Sequence, residues 1–383
     1  MILPALSPLR RRNSALNPKT EGIKYAGSKL RMLSYIMKMV GGLDGVYRVL
    51  DAFSGSTRVS QALYQCGRYA VTSNDIAVWS EVFATCYLQA PRRPEYYQQL
   101  IDSLNALPGH EGWFTSHYAP HDGGEEAGEV RKYPFQRKNT MRLDSIRERI
   151  AEWRTAGVID RMTECVLLTS LILALDVVDS TIGHFSSYLK RWSARSYRDL
   201  TLRLPRMCYD EALPAADVRR CDAFDLRGEW DLAYLDPPYG SANVKMPSSR
   251  VRYAAYYHLW KSVVLNDHPA LFGAAGRRED SRDTLSASVF EDFRTDDAGH
   301  LMAVEAIERL VRQINARYIL LSFSSGGRVS REELQQMLSE NGRLRDVMAV
   351  DYAHHNMANM FQTRKWCCAD KGHQEYLFLL EKG

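Results

Sequence analysis

The segment from Tyr47 to Ala90 constrains the fold more than any other part of the chain. YRVLDAF reads as a short strand, the SGS after it as a tight turn, and TRVSQALYQCG as a helix stopped by Gly67. YAVTSND gives a second strand closing on Asn-Asp, and IAVWSEVFATCYLQA a second helix. Apolar strands separated by a helix pair in parallel through a crossover, the opening of an α/β sheet. The pattern returns late in the chain. DLAYLDPPYG is a strand closing on a rigid turn, a helix near 301–315 leads to the strand RYILLSFSS, and RDVMAVDY and QEYLFLLE suit a terminal antiparallel pair. Residues 91–215 break the alternation with prolines, a polar HDGGEEAGEV stretch and helical segments at 140–154 and 160–178. They read as an inserted, mainly helical domain that splits the main domain into 21–90 and 216–383. Residues 1–20, with Pro4, Pro8, Pro18 and Arg10–Arg12, read as a flexible arm, and 28–40 as a helix with Ser28 at its N-cap. Residues 241–300 read as loops with short helices, and no internal repeat is visible.

Composition sets limits without naming a function. With 383 residues, 45% hydrophobic and 25% charged, the chain is neither collagen-like, coiled-coil nor wholly disordered. Its seven cysteines (66, 86, 165, 208, 221, 367 and 368) contain no CxxC pair, which fits a reduced, cytoplasmic chain. MILPALSPLRRR places its basic cluster after the apolar stretch, the reverse of a signal peptide. The longest apolar run, Cys165 to Leu175, is too short to span a membrane. Net charge is only +4, but Arg131 to Arg206 holds fifteen Lys/Arg against eight Asp/Glu, a local +7. That excess suits either a surface that meets an anion or a solvated helix face. His354-His355, Cys367-Cys368 and His373 lack zinc-ligand spacing, so no metal is expected.

Two elements carry chemistry. Asp51-Ala-Phe-Ser-Gly-Ser-Thr57 joins a strand to a helix, and Gly55 lets backbone approach a ligand; neither GxGxxG nor GxxxxGK[ST] is present. Asp75, twenty residues after Gly55 at the end of the second strand, can accept hydrogen bonds from ribose hydroxyls. Together they imply an adenosine-containing cofactor with no required pyrophosphate. Asp236-Pro-Pro-Tyr239 is sharper. Its strand delivers Asp236 to the carboxyl edge of the sheet, and the prolines fix φ and remove two donors. A carboxylate beside a free carbonyl offers two acceptors to an exocyclic amino group, and Tyr239 offers a ring on which a base can stack. The bland reading is a rigid turn with a capping Asp.

In these motifs the chain resembles the Dam-like N6-adenine DNA methyltransferases of the D12 class. Lys24-Tyr-Ala-Gly-Ser-Lys29 is similar to their N-terminal K-W/Y-A-G-G/S-K motif, DAFSGST to the cofactor loop, Ser73-Asn-Asp75-Ile76 to the acidic ribose motif, and DPPYG to the catalytic motif. Cys221-Asp-Ala-Phe224 sits where the family places side chains around the cofactor adenine. The motif order resembles the α group, and the likeness runs from Lys24 to the terminal hairpin. Where the family loop often has a second glycine, this chain has Ser56-Thr57. The resemblance implies a class I, Rossmann-like fold dependent on S-adenosylmethionine, with no metal. It implies cofactor contacts at Tyr25, Lys29, Asp51, Phe53, Gly55, Ser56, Thr57, Asp75, Ile76, Asp222, Ala223 and Asp236. Asp236, Pro237, Pro238 and Tyr239 would form the catalytic motif.

Given that resemblance, two basic clusters in the insertion suit double-stranded DNA: Arg131, Lys132, Arg137 and Lys138 around Tyr133 and Phe135, and Lys190, Arg191, Arg195 and Arg198 around Trp192. The implied reaction is methyl transfer to adenine N6 at a specific site, after the base flips out of the duplex. A cognate restriction endonuclease is a possible companion, and no membrane partner is expected. N4-cytosine methylation and a DNA-binding regulator without turnover stay open as alternatives.

Overall fold

The computed structural model describes residues 18–90, 92–120, 133–210, 212–243, 245, 248, 251–297, 299–352 and 373–383. After a 3-10 turn at Lys29–Arg31, helix α1 (Leu33–Gly41) leads to β1 (Arg48–Asp51), α2 (Arg58–Gln65), β2 (Ala70–Asn74) and α3 (Val78–Gln89). The early strand–helix alternation is thus observed, with the first helix beginning later than residue 28. Helices α4 (Pro94–Asn105), α5 (Trp113–Tyr118), α6 (Arg137–Thr155) and α7 (Arg161–Val178) come next. Pro94 is not a break: it occupies the first turn of α4, where its missing N–H costs nothing. Strands β3 (Asp217–Arg219) and β4 (Trp230–Leu235) restart the sheet. They lead to α8 (Tyr253–Tyr256), α9 (His258–Leu265), the small pair β5 (Leu271–Phe272) and β6 (Arg277–Arg278), and α10 (Asp283–Ser286). The chain then forms α11 (Met302–Gln313), β7 (Ala316–Ser324), α12 (Arg331–Glu340), β8 (Arg343–Tyr352) and β9 (His373–Glu381).

Seven strands form one sheet in the order β3-β2-β1-β4-β7-β9-β8. Strands β1–β4 and β7 are mutually parallel, while β9 lies antiparallel between β7 and β8. This mixed sheet, helix-covered on both faces, is the expected methyltransferase fold. Strand β3 was not expected: three residues, DVR, carry no periodic signal and pair only at the edge of β2.

Alternation along the strands builds two cores. Val49, Leu232, Tyr234 and Leu320 face α1 and α2, whereas Leu50, Ala233, Leu235 and Leu321 face α11 and α12. A third core lies to the side. Helix α7 is apolar around most of its circumference and α3 nearly so, which suits only a buried helix. They pack together and against residues of α6 and α9, so the insertion shares its core with the main domain. Each fully buried leucine there, such as Leu171, contributes about 1.5–3 kcal/mol by leaving water. Among the described residues, no helix is long and apolar enough to cross a membrane.

Candidate active site

Parallel pairing puts the carboxyl ends of β1, β2 and β4 at one edge: Asp51 is in register with Ser73 and with Tyr234. Asp75 and Asp236 each come directly after the last residue of their strand, so three carboxylates converge there. They border a cleft of about 870 Å³. Of the cofactor residues expected from sequence, Tyr25, Lys29, Asp51, Phe53, Gly55 and Ser56 line it. So do Asp75, Ile76, Asp222, Ala223 and Asp236. Thr57 does not; it is fully buried, donating from its hydroxyl to the Ser56 carbonyl and accepting from Gln61. Pro238 and Tyr239 line the cleft, while Pro237 is buried beside it.

The loop after β1 is shaped for a close approach. Gly55 has φ of +48°, and a Cβ there would lie 2.9 Å from the Tyr25 ring. Its N–H donates to Asp75 Oδ2 at 2.7 Å, and Ala77 N–H donates to Oδ1 at 2.8 Å, fixing that carboxylate at the rim. Burial raises the Asp75 pKa, and the backbone donors only partly oppose it. Asn74 stitches two loops together, donating from Nδ2 to the carbonyls of Ala52 and Cys221. Asp222 accepts from Phe224 N–H, and the Phe224 ring stacks on Phe290 at 5.5 Å. Ile76 projects at the rim, 72% exposed.

Asp51 tests whether the cleft suits a cationic, hydrogen-bonding group. Ser60 Oγ donates to Asp51 Oδ2 at 2.6 Å and lies 2.8 Å from the Ser73 hydroxyl. The other oxygen, Oδ1, is buried with no hydrogen-bond partner among the described residues. Burial lifts this carboxyl to about 7, helped by the nearby charges of Asp236 and Asp75. An orphaned acceptor in a cleft is costly unless a ligand donor reaches it. The three carboxylates bordering the cleft fit a ligand that carries positive charge and hydrogen-bond donors.

Around Asp236 the charges are paired. Tyr239 OH donates to Asp236 Oδ1, and Lys29 Nζ lies 3.1 Å from the same oxygen and also donates to Tyr239 OH. No hydrogen bond from a described residue reaches Asp236 Oδ2, so one oxygen is anchored and the other is offered to the cleft. Burial lifts the Asp236 carboxyl to about 6, opposed by Lys29 and by the Tyr239 hydrogen bond. Burial would lower the Lys29 ammonium, but Asp236 and then Glu375 outweigh it and raise its pKa. Strand β7 and its loop brace the motif: Ser322 Oγ is 3.3 Å from Tyr239 OH, Phe323 packs 4.7 Å from the Tyr239 ring, and Arg328 N–H donates to the Tyr239 carbonyl. The end of β7 and the loop after it therefore support the Asp236–Tyr239 turn.

Sequence reasoning missed Glu375, Tyr253 and Tyr257. Glu375 sits in a strand read only for its pairing, and the tyrosines in a segment read as loops. Tyr25 stacks on Tyr257 at 4.9 Å and lies 5.5 Å from Tyr253, so these rings form an aromatic wall of the cleft that meets the Gly55 loop at Tyr25. Only the aromatic density of RYAAYYHLW could have flagged them.

The basic clusters divide. Arg131 and Lys132 lie outside the described residues, as do Arg10–Arg12, His354, His355, Cys367 and Cys368. Arg137 pairs with Glu111 at 2.5 Å and Lys138 with Asp199 at 2.5 Å. Arg195 is held by Asp179 at 2.8 Å and by the Thr181 carbonyl at 2.7 Å. Lys190, Arg191 and Arg198 are exposed and make no ion pair among the described residues. The chain just before them packs against α8, where Phe185 N–H donates to the Tyr256 carbonyl.

Comparison with known proteins agrees with this geometry. The family model for D12 class N6 adenine-specific DNA methyltransferases matches residues 25–307. The chain is 26% identical to the modification methylase StsI of Streptococcus sanguinis, over 90% of this chain and 50% of that one. It is 25% identical to the type II methyltransferase M.FokI of Planomicrobium okeanokoites, over 84% and 47%. Against the type II methyltransferase M.NlaIII of Neisseria lactamica the identity is 26%, over 94% and 99%. The chain thus spans about half the length of the first two relatives and nearly all of the third. With three carboxylates at one sheet edge, a DPPY turn held by Lys29, and a family match over most of its length, the chain belongs to the D12 class of N6 adenine-specific DNA methyltransferases.

Proposed function

We propose that this protein transfers a methyl group from S-adenosylmethionine to N6 of adenine at a specific site in double-stranded DNA. The observation that carries this reading is the Asp236 carboxylate, with one oxygen pinned by Tyr239 and Lys29 and the other turned to the cofactor-sized cleft. When bound, S-adenosylmethionine supplies an electrophilic methyl group on a positively charged sulfur. Asp75 would hold the ribose hydroxyls, Asp222 and Ala223 the adenine, and Phe53 and Gly55 the methionyl side, with the buried Asp51 adding negative charge behind the loop.

The adenine amino lone pair is delocalised into the ring and is a poor nucleophile. Hydrogen bonds from N6–H to Asp236 Oδ2 and the Pro237 carbonyl favour a pyramidal nitrogen and point its lone pair at the methyl group. Asp236, with a carboxyl near 6, is ionised at neutral pH and is the nearest basic oxygen to receive the proton that N6 releases. Catalysis here is positioning and electrostatic preorganisation. The flipped adenine would occupy the space between Tyr239 and the Tyr25–Tyr253 wall.

The segment 91–215 is the target-recognition region in this reading, with Lys190, Arg191 and Arg198 meeting phosphates. A cytoplasmic role beside a cognate restriction endonuclease belongs to the same proposal, since the relatives StsI, M.FokI and M.NlaIII are a modification methylase and two type II methyltransferases. The test is modified-base sequencing of DNA from cells expressing the chain or its Asp236→Ala variant. N6-methyladenine at one recurring motif, absent with the variant, is the expected result; N4-methylcytosine, or no mark from a folded protein, would overturn it.

A further inference from the structure

Glu375 does not line the cleft, yet its side chain reaches the charged cluster behind it. Its backbone lies in β9 between two ladders, in register with Ser324 of β7 and Val350 of β8. It is 12% exposed, and its Oε2 lies 3.2 Å from Lys29 Nζ, matching the 3.1 Å from Lys29 to Asp236. The same oxygen is 3.5 Å from Tyr239 OH. One ammonium therefore stands between two carboxylates, leaving the cluster with one excess negative charge. If Lys29 paired with Asp236 alone, the pair would be neutral.

That excess sits where a charge difference arises during the reaction. The methyl group must come within about 3–3.5 Å of the amino nitrogen that Asp236 holds, so the donor sulfur lies only a few ångströms from the cluster. Before transfer that sulfur is a cation; afterwards it is a neutral thioether. We propose that Glu375 is a positioning and charge-setting residue of the active site: it clamps Lys29 against Asp236 and supplies the excess negative charge that favours the cationic methyl donor over the neutral demethylated product. The proposal rests on the methyltransferase reading of the site.

Other groups face Asp236 from the elements packed around it: Asp51 on β1, Asp75 after β2, Tyr234 on β4, Tyr239 in the DPPY turn, Tyr253 on α8 and Tyr25 before α1. Burial raises the pKa of all four tyrosines well above 10, so they stay neutral near pH 8. Asp51 and Asp75 add negative charge, but Glu375 is the second carboxylate that, with Asp236, pairs with Lys29.

The test is calorimetric binding at pH 8 of S-adenosylmethionine and, separately, S-adenosylhomocysteine to the full chain without DNA. Glu375→Gln removes one charge at nearly constant shape, and should weaken S-adenosylmethionine about tenfold relative to S-adenosylhomocysteine. Glu375→Asp, which keeps the charge, should restore most of that ratio. Lys29→Met should move it the other way, because it leaves two carboxylates without their cation. A ratio unchanged in Glu375→Gln, or in Lys29→Met if the glutamine variant does not fold, overturns the proposal, as does an equal loss of both ligands. Wild-type protein that binds neither ligand would instead defeat the methyltransferase reading itself.

Discussion

The sheet edge and the basic face of the insertion handle charge in opposite ways. At the edge, Asp51, Asp75, Asp236 and Glu375 are held by strands or strand-end loops, and Lys29 by the 3-10 turn before α1; all are sheltered from water and have named partners. On the insertion, Arg137, Lys138 and Arg195 are drawn into local ion pairs, while Lys190, Arg191 and Arg198 stand exposed. The difference teaches how each region can be read. Topology decides what a strand-end carboxylate meets, so a motif names it. A count of cations says nothing about which have already been neutralised by their own chain.

The largest effect should come from breaking the edge. Asp236→Ala should lower kcat by about 10³-fold or more, because it removes both the amino-group acceptor and the partner of Lys29, while the thermal midpoint shifts by only a few degrees. A variant that keeps a tenth of wild-type turnover would move the chemistry elsewhere. On the insertion, Arg195→Ala should act as a folding mutation. Asp179, only 2% exposed, would keep Lys24 alone as its cation, at a cost of about 1–3 kcal/mol measured by denaturant unfolding. Arg191→Ala and Arg198→Ala should do the reverse, leaving stability within about 0.5 kcal/mol while each lowers the salt slope of DNA binding by about 0.9. Equal salt slopes for Arg195→Ala and Arg191→Ala would erase the division drawn between paired and exposed cations.

Smaller, pH-linked effects sharpen the picture of the edge. The Asp236 carboxyl lies near 6, so kcat/KM should fall as pH drops below about 6, where the protonated acid no longer offers a carboxylate acceptor to N6–H or a base for its proton. A profile flat down to pH 4.5 would count against that assignment. Asp51 gives a stability signature of the opposite sense to that of a salt-bridged acid. Its folded pKa of about 7 exceeds its ordinary value of 3.8, so its contribution is fully present below about pH 4 and is lost as pH rises through 7. Asp51→Asn should flatten the fall in thermal midpoint between pH 4 and 7, and an unaltered slope would remove Asp51 as its source.

Much of the site was legible because its chemistry is local in sequence. DPPY and the Gly55–Asp75 spacing each place a reactive side chain one residue beyond a strand, and parallel pairing does the rest. Strands β1, β2, β4 and β7 and the terminal antiparallel pair were readable from their short apolar runs, although their order in the sheet was not. What escaped depends on contacts distant in sequence. Glu375 reaches Lys29 across 346 positions, and Arg195 reads as a phosphate ligand until Asp179 appears beside it. Pro94 reads as a break because a proline just past one helix can equally be the first residue of another, and only the packing of α4 decides between them. Strand β3 was hidden by its brevity, and the 253–257 tyrosines by the absence of any period that distinguishes a cleft wall from a loop.

Strand β9 sets the order in which this molecule can come together. It is the last strand in sequence, yet it belongs between β7 and β8 rather than at a margin. While the polypeptide emerges from the ribosome, β1, β2, β4 and β7 can associate early, but the outer edge of β7 must stay open until some fifty further residues have been made. Through that interval a row of unpaired amides and carbonyls faces outward, the arrangement most prone to pairing with a foreign strand. Insertion of β9 closes this edge and carries Glu375 to Lys29 in the same event, so protection from aggregation and completion of the charged cluster are reached together.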